Sequence, residues 1–402
     1  MKKLVLSLFV VSALFQSCSS DDDSGDNGNN VVAPATYVFE REGSSTVSFS
    51  GQTTRIQMAE EIVTALKDNG STEAQIDAMF AHVENGDDFS NSDLNASDKS
   101  VRSKVAASTD YFSANSTEAN AIKDDFDTWI SEQVDVVFQS WNDVAAEGKA
   151  GAILQANGTT IRYVNAEGLE YNQAFAKGLI GGLMIDQILN NYLSTSVLDA
   201  GENIENNDAE VLESGKNYTT MEHKWDEAYG YLFGNEANPA VPELGADQFL
   251  SEYLDRVSSD PDFEGLDVDV YNAFKLGRAA ITEGEYTVRD EQVEILRESI
   301  SLVPAVRAVY YLQAGKNNLA ADKGSAFHAL SEAYGFIYSL QFTRDIATDG
   351  PYFTKAEVDG MLADLMGDNG FWGVSEATLD ELSDDISARF GFTTEAAADA
   401  SN

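Results

Sequence analysis

Cysteine is almost absent from this chain: 402 residues contain one, Cys18. A disulfide framework and any multi-thiolate site are thereby ruled out. Histidine is nearly as scarce, with three residues, and six prolines leave room for long uninterrupted helices. Basic side chains are also few, 25 Lys and Arg against 68 Asp and Glu, for a net charge of −43. A surface of that sign repels phosphate backbones, which argues against a nucleic-acid partner. There is no His-Glu-x-x-His, no Gly-rich loop followed by Lys-Ser/Thr, and no Gly-x-Ser-x-Gly. The acidic stretches at 87–98, 260–269 and 368–370 do not keep the twelve-residue calcium-loop spacing. No catalytic constellation is legible, which favours a binding role over an enzymatic one.

What is present begins at the N-terminus. Met1-Lys2-Lys3 is a short positive start, and Leu4 to Phe15 is an uncharged apolar run, long enough for a signal peptide and too short to span a bilayer. The run ends at Phe15-Gln16-Ser17-Cys18, which resembles the lipobox of bacterial lipoproteins, with Phe15 where Leu is usual. That resemblance implies a signal peptide over 1–17 and lipidation of Cys18, hence a membrane partner through the lipid anchor. Residues 18–35 are acidic, Asn- and Gly-rich, and expected to be a flexible tether. The Asp21-Asp22-Asp23 run after the cysteine resembles the surface-export signal of Bacteroidota lipoproteins, which implies an outer-membrane protein facing outward. A periplasm-facing lipoprotein with a solvated spacer is the alternative.

The remainder, 36–395 with a tail at 396–402, patterns as a mainly α body. It forms one helical bundle or two related by duplication, with possible halves 36–200 and 201–395 and one or two small β-hairpins. Strand-like alternation covers 36–50, and Asn157-Gly158 between apolar runs predicts a hairpin. Helical periods run from Thr53, after Ser71 or Thr72, over Ser116–Glu147 and over 167–193. Others run over about 219–233, 246–258, 267–282, 286–300, 302–314, 324–344, 354–366 and 376–390. Glycines 178, 181 and 182 suggest close approach of a neighbouring helix.

One motif occurs twice. Thr220-Met221-Glu222-His223-Lys224-Trp225-Asp226-Glu227-Ala228-Tyr229-Gly230 aligns without gaps with Ser325-Ala326-Phe327-His328-Ala329-Leu330-Ser331-Glu332-Ala333-Tyr334-Gly335. His and Glu four apart lie on one helix face. Thr220 and Ser325 are candidate caps, and the glycines allow another helix close by. If the two turns faced one another, His223, Glu227, His328 and Glu332 could hold a transition metal such as iron. The bland reading is a pair of hydrogen-bonded helix contacts. His82 lacks comparable context and is expected to be structural or on the surface.

The segment 222–232 resembles uncharacterised Bacteroidota surface lipoproteins, and the architecture more distantly resembles the imelysin-like, iron-regulated lipoproteins. Those carry Gly-x-His-x-x-Glu, whereas here Met221 and Ala326 replace the Gly, and Asp226 and Ser331 stand three after each His. The resemblance implies a surface lipoprotein binding iron, another metal or an iron-bearing ligand in envelope uptake, with an outer-membrane transporter as partner. The alternatives are a non-metal module recognising a protein or glycan and, more weakly, a peptidase.

Overall fold

Apolar residues recurring every three or four positions fix this architecture, because each helix must bury one stripe against another. The computed structural model describes residues 31–399. The expected signal peptide, Cys18 and the tether up to residue 30 lie outside the described residues. Among the described residues there are sixteen α-helices and two antiparallel two-stranded sheets, so the mainly α body with small hairpins is observed. Ten helices form the frame: α1 (Ser50–Ala65), α2 (Ser116–Glu132), α3 (Tyr171–Leu179), α4 (Thr220–Phe233), α5 (Leu250–Ser258), α6 (Leu266–Glu283), α7 (Tyr286–Asn318), α8 (Lys323–Ser339), α9 (Lys355–Met366) and α10 (Glu376–Phe390). Among the described residues, no helix is long and apolar enough to cross a membrane.

Helix starts follow capping chemistry. α4 and α9 open with capping boxes, Thr219 with Glu222 and Thr354 with Glu357. The cap of α4 is therefore one residue earlier than expected. The box needs Glu or Gln three positions on, which Thr219 has and Thr220, followed by His223, has not. α8 is capped by Asp322, whose carboxylate accepts from the Ser325 amide, instead of by Ser325 itself.

Helix α7 is one 33-residue helix with Pro304 inside it, where two helices, 286–300 and 302–314, were expected. Proline removes one backbone donor, a cost of about 3 kcal/mol in an isolated helix. Here Val303, Ala305, Val306, Ala308 and Val309 are all buried, and α7 packs against α6, α8 and α10, so burial on several faces offsets the loss. Elsewhere the helical period drifts. The expected helix 116–147 stays α only to Glu132, then widens into a π turn over Gln133–Val137. α3 likewise runs on into π turns at Ile180–Ile185 and Ile188–Tyr192. The β region at 36–50 shrinks to β1 (Glu40–Arg41) and β2 (Ser44–Ser45), whereas β3 (Gly151–Leu154) and β4 (Ile161–Val164) pair around Asn157-Gly158 as predicted.

α3 and α8 lie in close contact, with Gly181 donating its amide to Ser339 Oγ at 3.0 Å. At Gly335 a Cβ would stand 2.5 Å from Cβ of Lys177. Gly335→Ala should therefore destabilise the fold by about 1–3 kcal/mol through overpacking. Gly360→Ala, exposed in α9 with nothing within 4 Å, should add about 0.5–1 kcal/mol. Denaturant midpoints at unchanged slope measure both, and equal shifts for the two variants would contradict the packing argument.

Candidate functional site

The two copies of the repeated motif lie on α4 and α8, and each grips the start of another helix in the same way. On α4, Asp226 Oδ2 accepts from the Ser48 amide at 3.1 Å, and His223 Nδ1 lies 3.0 Å from the Ser48 carbonyl, just before α1. On α8, Ser331 Oγ accepts from the Glu170 amide at 2.9 Å, and His328 Nδ1 lies 3.1 Å from Glu170 Oε1, just before α3. Glu227 then bonds Gln52 of α1 at 3.0 Å, and Glu332 pairs with Lys177 of α3 at 3.5 Å. Gly230 and Gly335 let Phe49 and Lys177 approach. The repeat is thus, first of all, a duplicated helix-docking device.

Among the described residues, the two turns share no partner. His223 and Glu227 contact Ser48, Gln52 and Lys224, and His223 stacks on the Tyr218 ring at 4.6 Å. His328 and Glu332 contact Glu170, Lys177 and Tyr253. The four side chains are therefore held in two separate sets. Among the described residues, no three His, Cys, Asp or Glu side chains are grouped so as to hold a metal ion.

In the second copy the polar atoms are spent on one another. His328 stands between two carboxylates, with Nε2 3.6 Å from Glu332 and Nδ1 facing Glu170. Burial pushes the Glu332 carboxyl up, but Lys177, His328 and Arg307 outweigh it and hold it below the usual range. Arg307 is itself fully buried among the rings of Tyr253, Tyr310 and Tyr311, with the Tyr310 centroid 4.1 Å away.

The first copy opens on a cleft of about 630 Å³. Among the described residues, Arg55, Lys99, Lys104, Lys216 and Lys224 line it with His223 and the carboxylate of Glu227, and Lys99 is also paired with Asp98 at 2.6 Å. Five of the chain's 25 basic residues meet here, in a molecule of net charge −43. Lys224 is paired with Glu227 at 2.7 Å. Lys104 and Lys216 have no ion-pair partner among the described residues. Burial lowers the Lys104 ammonium pKa, and the charges of Arg55, Lys224 and Lys99 lower it further. The Lys104 and Lys224 ammoniums lie 5.7 and 5.6 Å from the Tyr192 ring centre. Burial also pushes His223 below its ordinary 6.5, against the pull of Glu227, so the ring is neutral near pH 7. Its contact with the Ser48 carbonyl then assigns the proton to Nδ1 and leaves the Nε2 lone pair, 4.0 Å from Glu227. Finally, α1 starts at this cleft, where Ser50 and Gly51 form part of the lining. It has Phe49 at its N-cap position, no side-chain cap and no acidic residue in its first turn. An uncapped helix start adds partial positive charge and unsatisfied amides.

The cleft wall is held from behind by buried charge. Arg278 of α6 is fully buried and donates to Glu222 Oε1 at 3.0 Å, Asp226 Oδ1 at 3.2 Å and Thr46 Oγ1 at 3.0 Å. Arg41 reaches the same Glu222 at 3.1 Å, and Tyr37 Oη donates to Asp226 at 2.7 Å. Residues 37–48 are thereby pinned to α4.

His223 and Glu227 stand out by their repeat, whereas the five cations, each 5 to 112 positions from the next along the chain, show no periodicity. The only available signal was their scarcity. His82 is buried and bonded to Asp88 at 2.5 Å and to the Ser97 carbonyl at 3.2 Å, the structural one of the two placements expected for it.

Residues 34–393 match the family model described as Domain of unknown function (DUF4856), and the chain belongs to that family. No curated protein and no solved structure matches the chain.

Arg278→Met would leave Glu222 and Asp226 buried without their main cation. Breaking a buried pair from one side should cost about 3–5 kcal/mol, read from denaturant unfolding. The Ser48 amide should also lose hydrogen-exchange protection, and retained protection would show that the wall does not depend on Arg278.

Proposed function

We propose that this protein is a lipid-anchored, outward-facing lipoprotein of the outer membrane that binds a small anionic ligand in the His223 cleft, with iron as cargo inside a polycarboxylate chelate. The observation that carries the reading is the convergence of Arg55, Lys99, Lys104, Lys216 and Lys224, with an uncapped helix start, on one cleft of an otherwise acidic chain. Such a site repels a bare cation and attracts a polyanion. The Cys18 context and the imelysin-like resemblance support the envelope location and the link to iron. An outer-membrane transporter is the partner to which the cargo would pass. A ferric chelate that is itself negatively charged reconciles the iron reading with a basic cleft.

Ferric citrate titrated calorimetrically into the mature protein should bind, and ferric ion presented without chelator should not occupy the cleft. Lys104→Ala should weaken ferric citrate binding by about tenfold, the effect of one charge-assisted hydrogen bond, and Lys104→Ala with Lys216→Ala by more. His328→Ala should leave affinity unchanged. Equal affinity across wild type and both lysine variants would remove the cleft from the function.

The pH dependence has a definite sign. His223 is neutral near pH 7 and gains a proton as pH falls below 6.5 through its lowered pKa. A bound anion favours the charged ring, so affinity should rise on acidification over that window. His223→Gln should flatten the profile, and an unchanged slope in that variant would assign the effect to the ligand's own titration.

A further inference from the structure

Beside the basic cleft lies a second depression of opposite character. It has a volume of about 760 Å³, within the range of ligand clefts, and among the described residues no Asp, Glu, Lys or Arg lines it, although 23% of the chain is charged. Its apolar wall is Tyr37, Val38, Val47, Phe49, Pro239 and Ala240. The two depressions share Ser48 and Ser50, so a single strip of backbone at the start of α1 borders both.

This apolar groove is built in advance. The Tyr37 amide donates to the Ala240 carbonyl at 3.0 Å, which ties its two walls together. Tyr271 Oη donates to the same carbonyl at 2.6 Å. Tyr229 Oη bonds the Pro239 carbonyl, and its ring stacks on that of Tyr37 with centroids 3.6 Å apart. Even so, Val38 stays 47% exposed at the rim. A rigid apolar wall left open to water, bordering a site that attracts anions, fits a ligand with both characters.

We infer that the ligand is an amphiphilic anion, its charged head in the Lys104–His223 cleft and its alkyl or aryl tail across Ser48–Ser50 in the Val38–Phe49 groove. This deepens the anion-cleft reading and rests on it. Ordered water leaves both the tail and the groove on binding, so affinity grows with tail length while the head sets specificity.

The test uses two ferric chelates with the same head, those of the mono-methyl and mono-octyl amides of citrate, below the aggregation limit of the latter. Wild-type protein should bind the octyl chelate about tenfold or more tightly than the methyl chelate, since each buried methylene adds a few-fold at most. Val38→Glu, a substitution at an exposed position, should bring the ratio of the two affinities to about one; Val47→Glu should act alike. Lys104→Ala should weaken both chelates equally. Equal wild-type affinities, or a preference that survives both glutamate variants, would overturn the amphiphile and leave the anion cleft standing. Failure of the methyl chelate to bind at all would overturn the cleft reading and this inference together. Sedimentation of the protein alone completes the experiment: a dimer that Val38→Glu dissociates would give the groove to a second copy of the chain, against the proposal.

Discussion

The border shared by the cleft and the groove is held by one guanidinium. Arg278 reaches from α6 between Glu222 and Asp226, one turn apart on α4, and with Arg41 makes a buried group of two cations and two carboxylates. Buried ion pairs rarely add net stability over apolar packing, because desolvation consumes most of the Coulomb gain. What this group supplies is position. Asp226 has a further oxygen for the Ser48 amide, and Tyr37 donates to its other one, so a segment with almost no secondary structure of its own is held in one place. That segment is the common border of the basic cleft and the apolar groove.

The repeated motif shows how one packing device reaches two ends. In both copies a His–Glu turn receives the chain just before a helix, and a glycine one turn further on lets a side chain of that segment, Phe49 or Lys177, approach closely. At the position of Asp226 the second copy has Ser331, at Lys224 it has Ala329, and at Glu222 it has Phe327. Each change removes charge. The α8 copy balances Glu332 internally with Lys177 and Arg307, whereas the α4 copy keeps Lys224 beside a helix start that carries no cap and no acid. The chemistry left over for a ligand is on α4.

Local rules made much of the fold legible. The ends of α10 at 376–390, a helix cap at Ser71 or Thr72 (Thr72 in the structure) and the Asn157-Gly158 hairpin follow from period and turn chemistry alone. What escaped was decided by tertiary contact. Pro304 argues for a break, and only burial on several sides keeps α7 whole. The π turns at 180–185 and 188–192 carry no residue type that announces them, since they arise where α3 runs on past close neighbours. The same holds at the site: His223 and Glu227 stand out because they repeat, but Arg55, Lys99, Lys104 and Lys216 come from helix, loop and turn segments that only the fold brings together. No spacing rule links them.

An acidic body with a basic cleft also has a kinetic consequence. At physiological ionic strength the Debye length is about 8 Å, so the surface charge far from the cleft is largely screened. An anion within that distance of Lys104 feels the local cations, in a recess whose walls limit the screening water. Farther out, the same anion meets a repulsive surface that disfavours unspecific adhesion. Capture is therefore confined to one place without reducing the solubility that the net charge of −43 provides, and the few cations this chain has are worth most where they stand together.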